Sequence, residues 1–182
     1  TIELVGENSI NSVKQSGILS MQGCGLLTLT GEGSLNITAA GHAIYANTGS
    51  LLVKDTTVKV SSDVLAVCAD LGIEISNSTI ESASTGGNAI YAPGDLTIEN
   101  SNVTTSNDNK NDDGYPAIWS DGDITINGGQ LKSTCTGSDA LGSAGTLSIT
   151  DCNVENKGAS ALYSQGEMTL TGGSITADAE DN

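Results

Sequence analysis

The stretch AIYAPGDLTIENSNV, residues 89–103, shows how this chain is built. Apolar and polar residues alternate in two short runs, and each run ends at a break, first at Pro93-Gly94 and then at residues 99–101. Such alternation is typical of β-strands, and such breaks are typical of tight turns. Related stretches occur at residues 43–58, 117–131 and 161–175. The recurrence indicates a repeated structural unit.

The period of the repeat follows from a short apolar–x–apolar pair that occurs eight times, at intervals of 21 to 28 residues. The pairs are Ile2/Leu4, Leu27/Leu29, Leu51/Val53, Ile73/Ile75, Leu96/Ile98, Ile124/Ile126, Leu147/Ile149 and Met168/Leu170. Each unit holds three short alternating segments. Three strands of this length cannot bury a core alone, so the units must stack on one another.

Stacking in register predicts an all-β fold, a right-handed parallel β-helix (solenoid) of about eight coils of 21–28 residues, with three short strands per coil. Backbone groups of one coil then pair with the coils above and below. The right hand comes from the general rule for parallel crossover connections, not from these residues. A β-sandwich is the alternative fold, but it would not need the same three-strand register in every unit.

One position between the second and third segments is always Asp, Asn or Gly. Its residues are Asp55, Asn77, Asn100, Gly128, Asp151 and Gly172. These residue types tolerate a left-handed backbone, so the pattern predicts the same left-handed corner in each coil. Side-chain amides and carboxylates at such corners can hydrogen-bond from coil to coil, and ordinary turn chemistry accounts for them without any function.

The 182 residues are expected to form one β-helix domain, residues 1–182. Residues 1–17 are predicted to form an N-terminal cap or an irregular first coil, and residues 106–116 an inserted loop. We expect the chain to be part of a longer protein, with flanking domains of the same chain among its partners, because an exposed β-helix end invites edge pairing.

The composition is strongly acidic, with 22 Asp and Glu against 6 lysines, no arginine and a net charge of −16. Such a surface repels nucleic acid and anionic membranes, so neither is expected as a partner. No apolar run approaches the length that spans a bilayer, so membrane insertion is not expected either.

Three phrases resemble the pectate-lyase-like right-handed parallel β-helix superfamily: AIYAPGDLTI (89–98), AIWSDGDITINGG (117–129) and ALYSQGEMTLTGG (161–173). More narrowly, they resemble non-catalytic carbohydrate-binding β-helix domains of secreted and surface proteins of gut-type anaerobic bacteria. The resemblance covers residues 17–178 and is more specific for fold than for function. It implies binding of plant polysaccharide, in some members with calcium, and an extracellular or cell-surface location.

The aromatic residues suggest where a ligand would bind. Four of the five occupy one predicted outward column of the first segment, which reads Tyr45, Val67, Tyr91, Trp119, Gly142 and Tyr163. The fifth, Tyr115, lies just upstream of Trp119. An outward row of rings on a flat sheet is a stacking platform for the apolar faces of sugars, with Tyr45, Tyr91, Tyr115, Trp119 and Tyr163 as the predicted ligand-binding residues. Packing of rings between adjacent strands is the alternative explanation of the column.

The inserted loop contains Asn109-x-Asn111-x-Asp113-Gly114, which resembles the first half of an acidic calcium loop. Asn109, Asn111 and Asp113 are therefore weak calcium-ligand candidates, and no other cofactor is expected. Ser120 stands where such a loop needs a bidentate Glu. A solvated turn is the favoured explanation of the loop.

Catalysis is not expected. Lyases on this fold commonly use a basic residue, often arginine, and the chain has none. His42 is the sole histidine and lacks the partner aspartates of a hydrolase, while Asp121 and Asp123 only flank a glycine at a turn. A degenerate polysaccharide lyase or hydrolase remains an alternative. A structural stalk or adhesin segment without a small ligand is the stronger one.

The four cysteines, Cys24, Cys68, Cys135 and Cys152, fall in different columns of the predicted coils. Residues in different columns lie too far apart for a disulfide. We therefore predict four free thiols that mostly fill small buried spaces.

Overall fold

The computed structural model describes residues 1–21, 23, 25–109 and 114–179. Over these residues the chain is all-β, with 23 strands and no helix. Numbered β1 to β23 in chain order, every third strand joins the same sheet, and hydrogen-bonded neighbours run parallel. The chain completes seven three-strand turns and adds two more strands, which confirms the predicted parallel β-solenoid and lies close to the expected eight coils.

The three sheets differ in strand length. The first sheet contains β1 (Ile2–Glu3), β4 (Leu26–Thr30), β7 (Ser50–Lys54), β10 (Ile73–Ser76), β13 (Leu96–Glu99), β16 (Ile124–Asn127), β19 (Leu147–Thr150) and β22 (Met168–Thr171). The second contains β2 (Glu7–Ser12), β5 (Ser34–Ala39), β8 (Thr57–Ser62), β11 (Thr79–Ser84), β14 (Asn102–Asn107), β17 (Gln130–Cys135), β20 (Asn153–Gly158) and β23 (Ser174–Ala179). The third contains β3 (Ile18–Ser20), β6 (Ile44–Ala46), β9 (Val67–Ala69), β12 (Ile90–Ala92), β15 (Ile118–Ser120), β18 (Leu141–Ser143) and β21 (Tyr163–Ser164).

The core is a column of aliphatic side chains inside the coils. Ile90, Ile118, Leu96 and Ile126 are completely buried, each directly above or below an aliphatic residue of the neighbouring coil. Burial of one such side chain stabilises a fold by about 1.5–3 kcal/mol. The last coil is different, because the inward-facing Leu170 is 44% exposed.

The predicted left-handed corner is present in six consecutive coils. Asp55, Asn77, Asn100 and Asp151 have φ between 47° and 53°, and Gly128 and Gly172 have φ of 69° and 66°. The predicted coil-to-coil bonding also occurs, since Asn77 Nδ2 donates a hydrogen bond to Asp55 Oδ1 at 3.2 Å. A turn that reverses direction in so few residues needs this backbone conformation, which explains the restriction to Asp, Asn and Gly.

The predicted alignment is wrong in the first coil. Ile2 lies opposite Leu29, not opposite Leu27. The first pair is therefore two residues out of step with the others. Residues 1–17 nevertheless contribute β1 and β2, and β2 pairs in register with β5, so this segment is an irregular first coil.

The predicted outward column is also wrong at β9. Val67 lies opposite Ile44 and Ile90, and Cys68 lies opposite Tyr45 and Tyr91. The error arises because four residues separate Ala46 from Leu51, whereas three separate the equivalent positions of the next coil, Ala69 and Ile73. The prediction used the longer spacing for both coils. It therefore assigned the outward position to Val67, although Cys68 occupies it.

Cys68 and Cys152 are buried and free, as predicted, and Cys135 is buried as well, whereas Cys24 lies outside the described residues. Across the described part of the chain, no helix has the length and apolarity required to cross a bilayer.

Candidate ligand-binding cleft

The outward side chains of the third sheet form a single column along the solenoid axis. From β6 to β21 the column reads Tyr45, Cys68, Tyr91, Trp119, Gly142 and Tyr163. Adjacent coils are about 4.8 Å apart, the ordinary spacing of hydrogen-bonded strands. Four of the five aromatic residues therefore share one face, as the sequence predicts.

A cleft of about 740 Å³ opens on this face. Tyr91, Trp119, Tyr163 and Tyr115 line it, and Val64 and Leu65 add an apolar edge from the preceding loop. Tyr115 and Tyr163 are 44% and 38% exposed, while Tyr91 and Trp119 are partly buried. The structure thus brings four of the five predicted ligand-binding residues together in one cleft and leaves Tyr45 outside it.

Gly142 creates the room in which the Trp119 ring lies. A Cβ atom at position 142 would lie 2.6 Å from Trp119 Cε3 and Cζ3, so only glycine admits the ring in this position. The ring extends across the intervening coil toward Tyr163, with 6.0 Å between ring centroids and an interplanar angle of 27°. The apparent gap in the aromatic row is therefore filled by the neighbouring tryptophan.

Asp121 fixes the polar edges of two rings. Its Oδ2 accepts a hydrogen bond from Tyr91 Oη at 2.7 Å, and its Oδ1 accepts one from Trp119 Nε1 at 2.7 Å. Burial, together with the hydrogen bond to Asp121 and the negative charge of that carboxylate, raises the pKa of Tyr91 to about 12. The phenol is therefore neutral at physiological pH and remains a hydrogen-bond donor.

Buried asparagines position the backbone that carries Tyr115. Asn107 Nδ2 donates to the Tyr115 carbonyl oxygen and Asn88 Nδ2 donates to the Pro116 carbonyl oxygen, each at 2.6 Å. The Cys135 thiol also contacts the Tyr115 carbonyl oxygen, at 3.3 Å. These interior groups hold the end of the inserted loop against the solenoid, so the rim of the cleft is anchored at its base.

Asp139 supplies a second carboxylate to the cleft. Its Oδ1 accepts a hydrogen bond from the Ser160 backbone N–H at 3.2 Å, and its Oδ2 accepts none from the described residues. The described lining contains no lysine to offset the charge of Asp121 and Asp139. The cleft is therefore aromatic on its floor and acidic at its edge.

Tyr45 belongs to a separate cluster two coils away. Its ring packs at a tilt against His42, with centroids 5.0 Å apart, and its hydroxyl donates to Asp70 Oδ2 at 3.4 Å. Burial is the main cause of the raised pKa of Tyr45, and Asp70 adds to it. Between Tyr45 and Tyr91 lies the Cys68 thiol, whose pKa burial raises to about 12, with a smaller contribution from Asp70.

The calcium-loop candidates are only partly covered by the structure. Asn111 and Asp113 lie outside the described residues. Asn109 is buried, and its amide Nδ2 donates to the Gly86 carbonyl oxygen at 3.5 Å. Within the described residues no group of three or more His, Cys, Asp or Glu side chains is placed to hold a metal ion. Calcium binding at this loop stays a prediction.

The sequence interpretation missed several residues that shape the cleft. Gly142 was expected only to interrupt the aromatic row, and Asp121 only to flank a turn. The position of Asp121, two residues after Trp119 and just past the end of β15, was the available signal, because residues i and i+2 of an extended chain face the same side. Asn88 and Asp139 carry no comparable signal, since their roles depend on contacts with distant coils.

No family model, curated protein or solved structure matches this chain. The resemblance to the pectate-lyase-like superfamily therefore stays a prediction, and the solenoid alone does not identify a family. Function must be argued from the cleft itself.

Proposed function

We propose that this chain is a non-catalytic extracellular carbohydrate-binding module whose polysaccharide ligand stacks against the aromatic cleft of the third sheet. One observation carries the proposal: Tyr91, Trp119, Tyr163 and Tyr115 converge on one open cleft of about 740 Å³. This volume lies within the range of roughly 300–1,000 Å³ that is typical of ligand clefts.

The chemistry of the lining suits a sugar. The C–H faces of pyranose rings are apolar and pack against aromatic rings, whereas their hydroxyl groups require hydrogen-bond partners at the edges. The carboxylates of Asp121 and Asp139 lie beside the rings and supply acceptors for hydroxyl groups. A cleft with an aromatic floor and a polar edge fits such an amphipathic ligand better than a purely apolar one.

The dimensions suit a polymer. Tyr91, Trp119 and Tyr163 lie on β12, β15 and β21, three coil steps from end to end. At about 4.8 Å per step the rings span roughly 14 Å along the axis. Each step is close to the length of one pyranose unit, so a chain of several sugars lies along the column without changing its repeat.

A non-catalytic role follows from how the carboxylates are used. Both oxygens of Asp121 already accept hydrogen bonds from ring edges, so this carboxylate orients two aromatic rings. Glycoside hydrolysis needs a pair of carboxyl groups that flank the scissile bond, and Asp139 is the single carboxylate among the described lining residues.

The location is part of the same proposal. Plant polysaccharides lie outside bacterial cells, so a module that binds them acts in the extracellular space or at the cell surface. The proposed relationship to non-catalytic β-helix domains of gut-type anaerobic bacteria rests on the repeated phrases alone.

A structural stalk is the competing function, and one observation favours it. The Trp119 and Tyr163 rings pack against each other, and the polar atoms of Tyr91 and Trp119 are satisfied within the protein. Aromatic pairs between strands stabilise sheets without any ligand. The two functions predict different results when one ring is removed. A binding module loses ligand retention, whereas a stalk shows no retention to lose.

The test is retention on a panel of soluble and insoluble polysaccharides, run in the presence of calcium and again with a chelator. We expect wild-type protein to be retained on at least one polymer. The Trp119→Ala variant should lose about tenfold in affinity, because stacking of a sugar on one ring contributes about 1–2 kcal/mol to the binding free energy. Loss of retention with chelator would bring calcium and the 106–116 loop into the binding site.

Tyr45→Ala is the matched control, since Tyr45 belongs to the same column but lies outside the cleft. It should leave retention unchanged, and circular dichroism should show all variants folded. Equal retention of the wild type and the Trp119→Ala variant would exclude the cleft as the binding site. Failure of the wild-type protein to bind any polymer would favour the stalk.

A further inference from the structure

The charge of the cleft is the basis of a further inference. Asp139 lines it, Asp121 is hydrogen-bonded to the edges of two lining rings, Tyr91 and Trp119, and within the described residues no lysine belongs to the lining. The phenol of Tyr91 donates to Asp121 and is neutral, so it does not compensate the carboxylate charge. A ligand that enters the cleft therefore meets two negative groups beside the aromatic rings.

The lysines of the described chain lie on other surfaces. Lys54 is on β7 of the first sheet, and Lys59, Lys132 and Lys157 are on β8, β17 and β20 of the second. Lys54, Lys59 and Lys132 form ion pairs with acidic neighbours. Lys14 lies between β2 and β3, two coils before the connection that carries Val64 and Leu65 of the cleft. None of the third-sheet strands contains a basic residue.

The inserted loop beside the cleft does not reverse this balance. Residues 106–116 contain one lysine, Lys110, and three aspartates, Asp108, Asp112 and Asp113. Residues 110–113 lie outside the described part of the chain, but the loop carries a net negative charge by composition. The whole protein has a net charge of −16, which adds a repulsive field for any polyanion.

We propose that the cleft selects uncharged polysaccharide and rejects polyuronates and other anionic glycans. This inference rests on the proposed carbohydrate-binding function and specifies its ligand class. Carboxylates beside the rings accept hydrogen bonds from the hydroxyl groups of a neutral sugar. A uronate brings a carboxylate of its own next to them, and with no cation between the two groups they repel each other. Binding sites commonly reject a wrong ligand by placing a like charge next to it.

The expected size of the effect follows from Coulomb's law. Repulsion between two like unit charges about 7 Å apart in a water-like dielectric weakens binding by a factor of about three. If Asp139 and Asp121 each lie about this far from one uronate unit, the combined repulsion gives about tenfold weaker binding at low salt. Added salt screens these charges, so the difference should shrink as ionic strength rises.

The experiment uses two ligand pairs that differ only in charge. The first is fully methyl-esterified homogalacturonan against de-esterified polygalacturonate, and the second is cellohexaose against its C6-carboxylate form. Calorimetry or affinity electrophoresis without added calcium measures the binding of each. We expect a neutral member to bind and its acidic counterpart to bind about tenfold more weakly.

Asp139→Asn is the informative variant, because an asparagine Oδ1 keeps the hydrogen bond from the Ser160 N–H while the charge is lost. It should reduce the discrimination to about threefold. Glu74→Gln, which removes an exposed charge from the first sheet, should leave the discrimination unchanged. Lys110→Gln measures the contribution of the only lysine in the loop, and we expect no gain of polyuronate binding.

The outcomes separate this inference from the proposed function. If an acidic member binds as tightly as its neutral partner or tighter, charge selection is overturned while carbohydrate binding stands. If discrimination is present but Asp139→Asn leaves it at tenfold, the assignment to this carboxylate is overturned. If none of the four ligands binds, the inference fails, and the polysaccharide panel then decides the proposed function separately.

Discussion

Replacement of Gly142 by alanine should displace the Trp119 ring from its position in the aromatic cleft. The added Cβ would lie 2.6 Å from two carbon atoms of the Trp119 ring, well inside contact distance. The backbone at Gly142 is not in the left-handed region, so alanine introduces no backbone strain. The ring must therefore move, which breaks its packing against Tyr163 and its hydrogen bond to Asp121.

The magnitude combines one gain and two losses. Alanine in a strand is favoured over glycine by about 0.5–1 kcal/mol, because glycine loses more conformational entropy on folding. The aromatic pair contributes about 0.5–1.5 kcal/mol, and an exposed hydrogen bond contributes about 1 kcal/mol. The losses exceed the gain, so we expect Gly142→Ala to lower the free energy of unfolding by on the order of 1 kcal/mol.

Urea unfolding followed by fluorescence tests this directly, since Trp119 is the only tryptophan in the chain. Its emission should shift to longer wavelength in the folded variant, because displacement from the cleft exposes the indole to water. The same substitution in a Trp119→Ala background, followed by circular dichroism, should be stabilising by about 0.5–1 kcal/mol, since only the entropic gain remains. Stabilisation of equal size in both backgrounds would refute the proposed packing of Trp119 over Gly142.

Three further predictions follow from burial, backbone conformation and titration. Ile126→Ala should cost about 2–5 kcal/mol in chemical denaturation because Ile126 is fully buried, whereas Leu170→Ala, at a 44%-exposed site, should cost about 1 kcal/mol or less. Asn100→Ala should cost about 1 kcal/mol because φ is 47°, and Asn100→Gly should cost clearly less, which a comparison of the two melting curves will show. The raised pKa of Tyr91 stabilises the fold below the ordinary tyrosine value of 10.0, and that contribution should disappear as pH rises through about 12. Ultraviolet titration of phenolate should show this ionisation at lower pH in Asp121→Asn, and an unchanged titration would contradict the role of Asp121.

Much of the fold was predictable because a solenoid repeats the same local problem in every coil. The apolar pairs, the Asp, Asn and Gly corners and the inward Ile and Leu positions each recur at one place in the unit, so eight weak signals reinforce one another. The left-handed φ at Asp55, Asn77, Asn100 and Asp151 confirms that a turn position can be identified from residue type alone.

The errors arose where one coil departs from the others. The spacing from Ala46 to Leu51 is one residue longer than the equivalent spacing in the next coil. The predicted outward column was therefore shifted there, and Val67 was assigned the position that Cys68 occupies. The first coil is out of step by two residues, since Ile2 pairs with Leu29. Because side chains alternate between faces, a shift of one residue reverses the predicted environment of a side chain.

The candidate cleft was likewise only partly predictable from the sequence. The shared face of Tyr91, Trp119 and Tyr163 was predictable, because positions at equal steps in a stacked repeat face the same side. The separation of Tyr45 from the cleft was not predictable, since it depends on the tilt of its ring against His42 and on its bond to Asp70. The first contact joins residues three positions apart and the second joins neighbouring coils, and the period of the repeat predicts neither of them.

The sequence by itself determined that the chain stacks parallel coils and that its rings gather on one sheet, because strand alternation and repeat length are local properties. Only the tertiary structure decided that Trp119 lies over Gly142, that Asp121 holds two ring edges, and that Asn88 and Asn107 anchor the rim beside Tyr115. Each of these depends on the distance between atoms of different coils or turns. Side-chain packing sets that distance, and residue spacing alone does not.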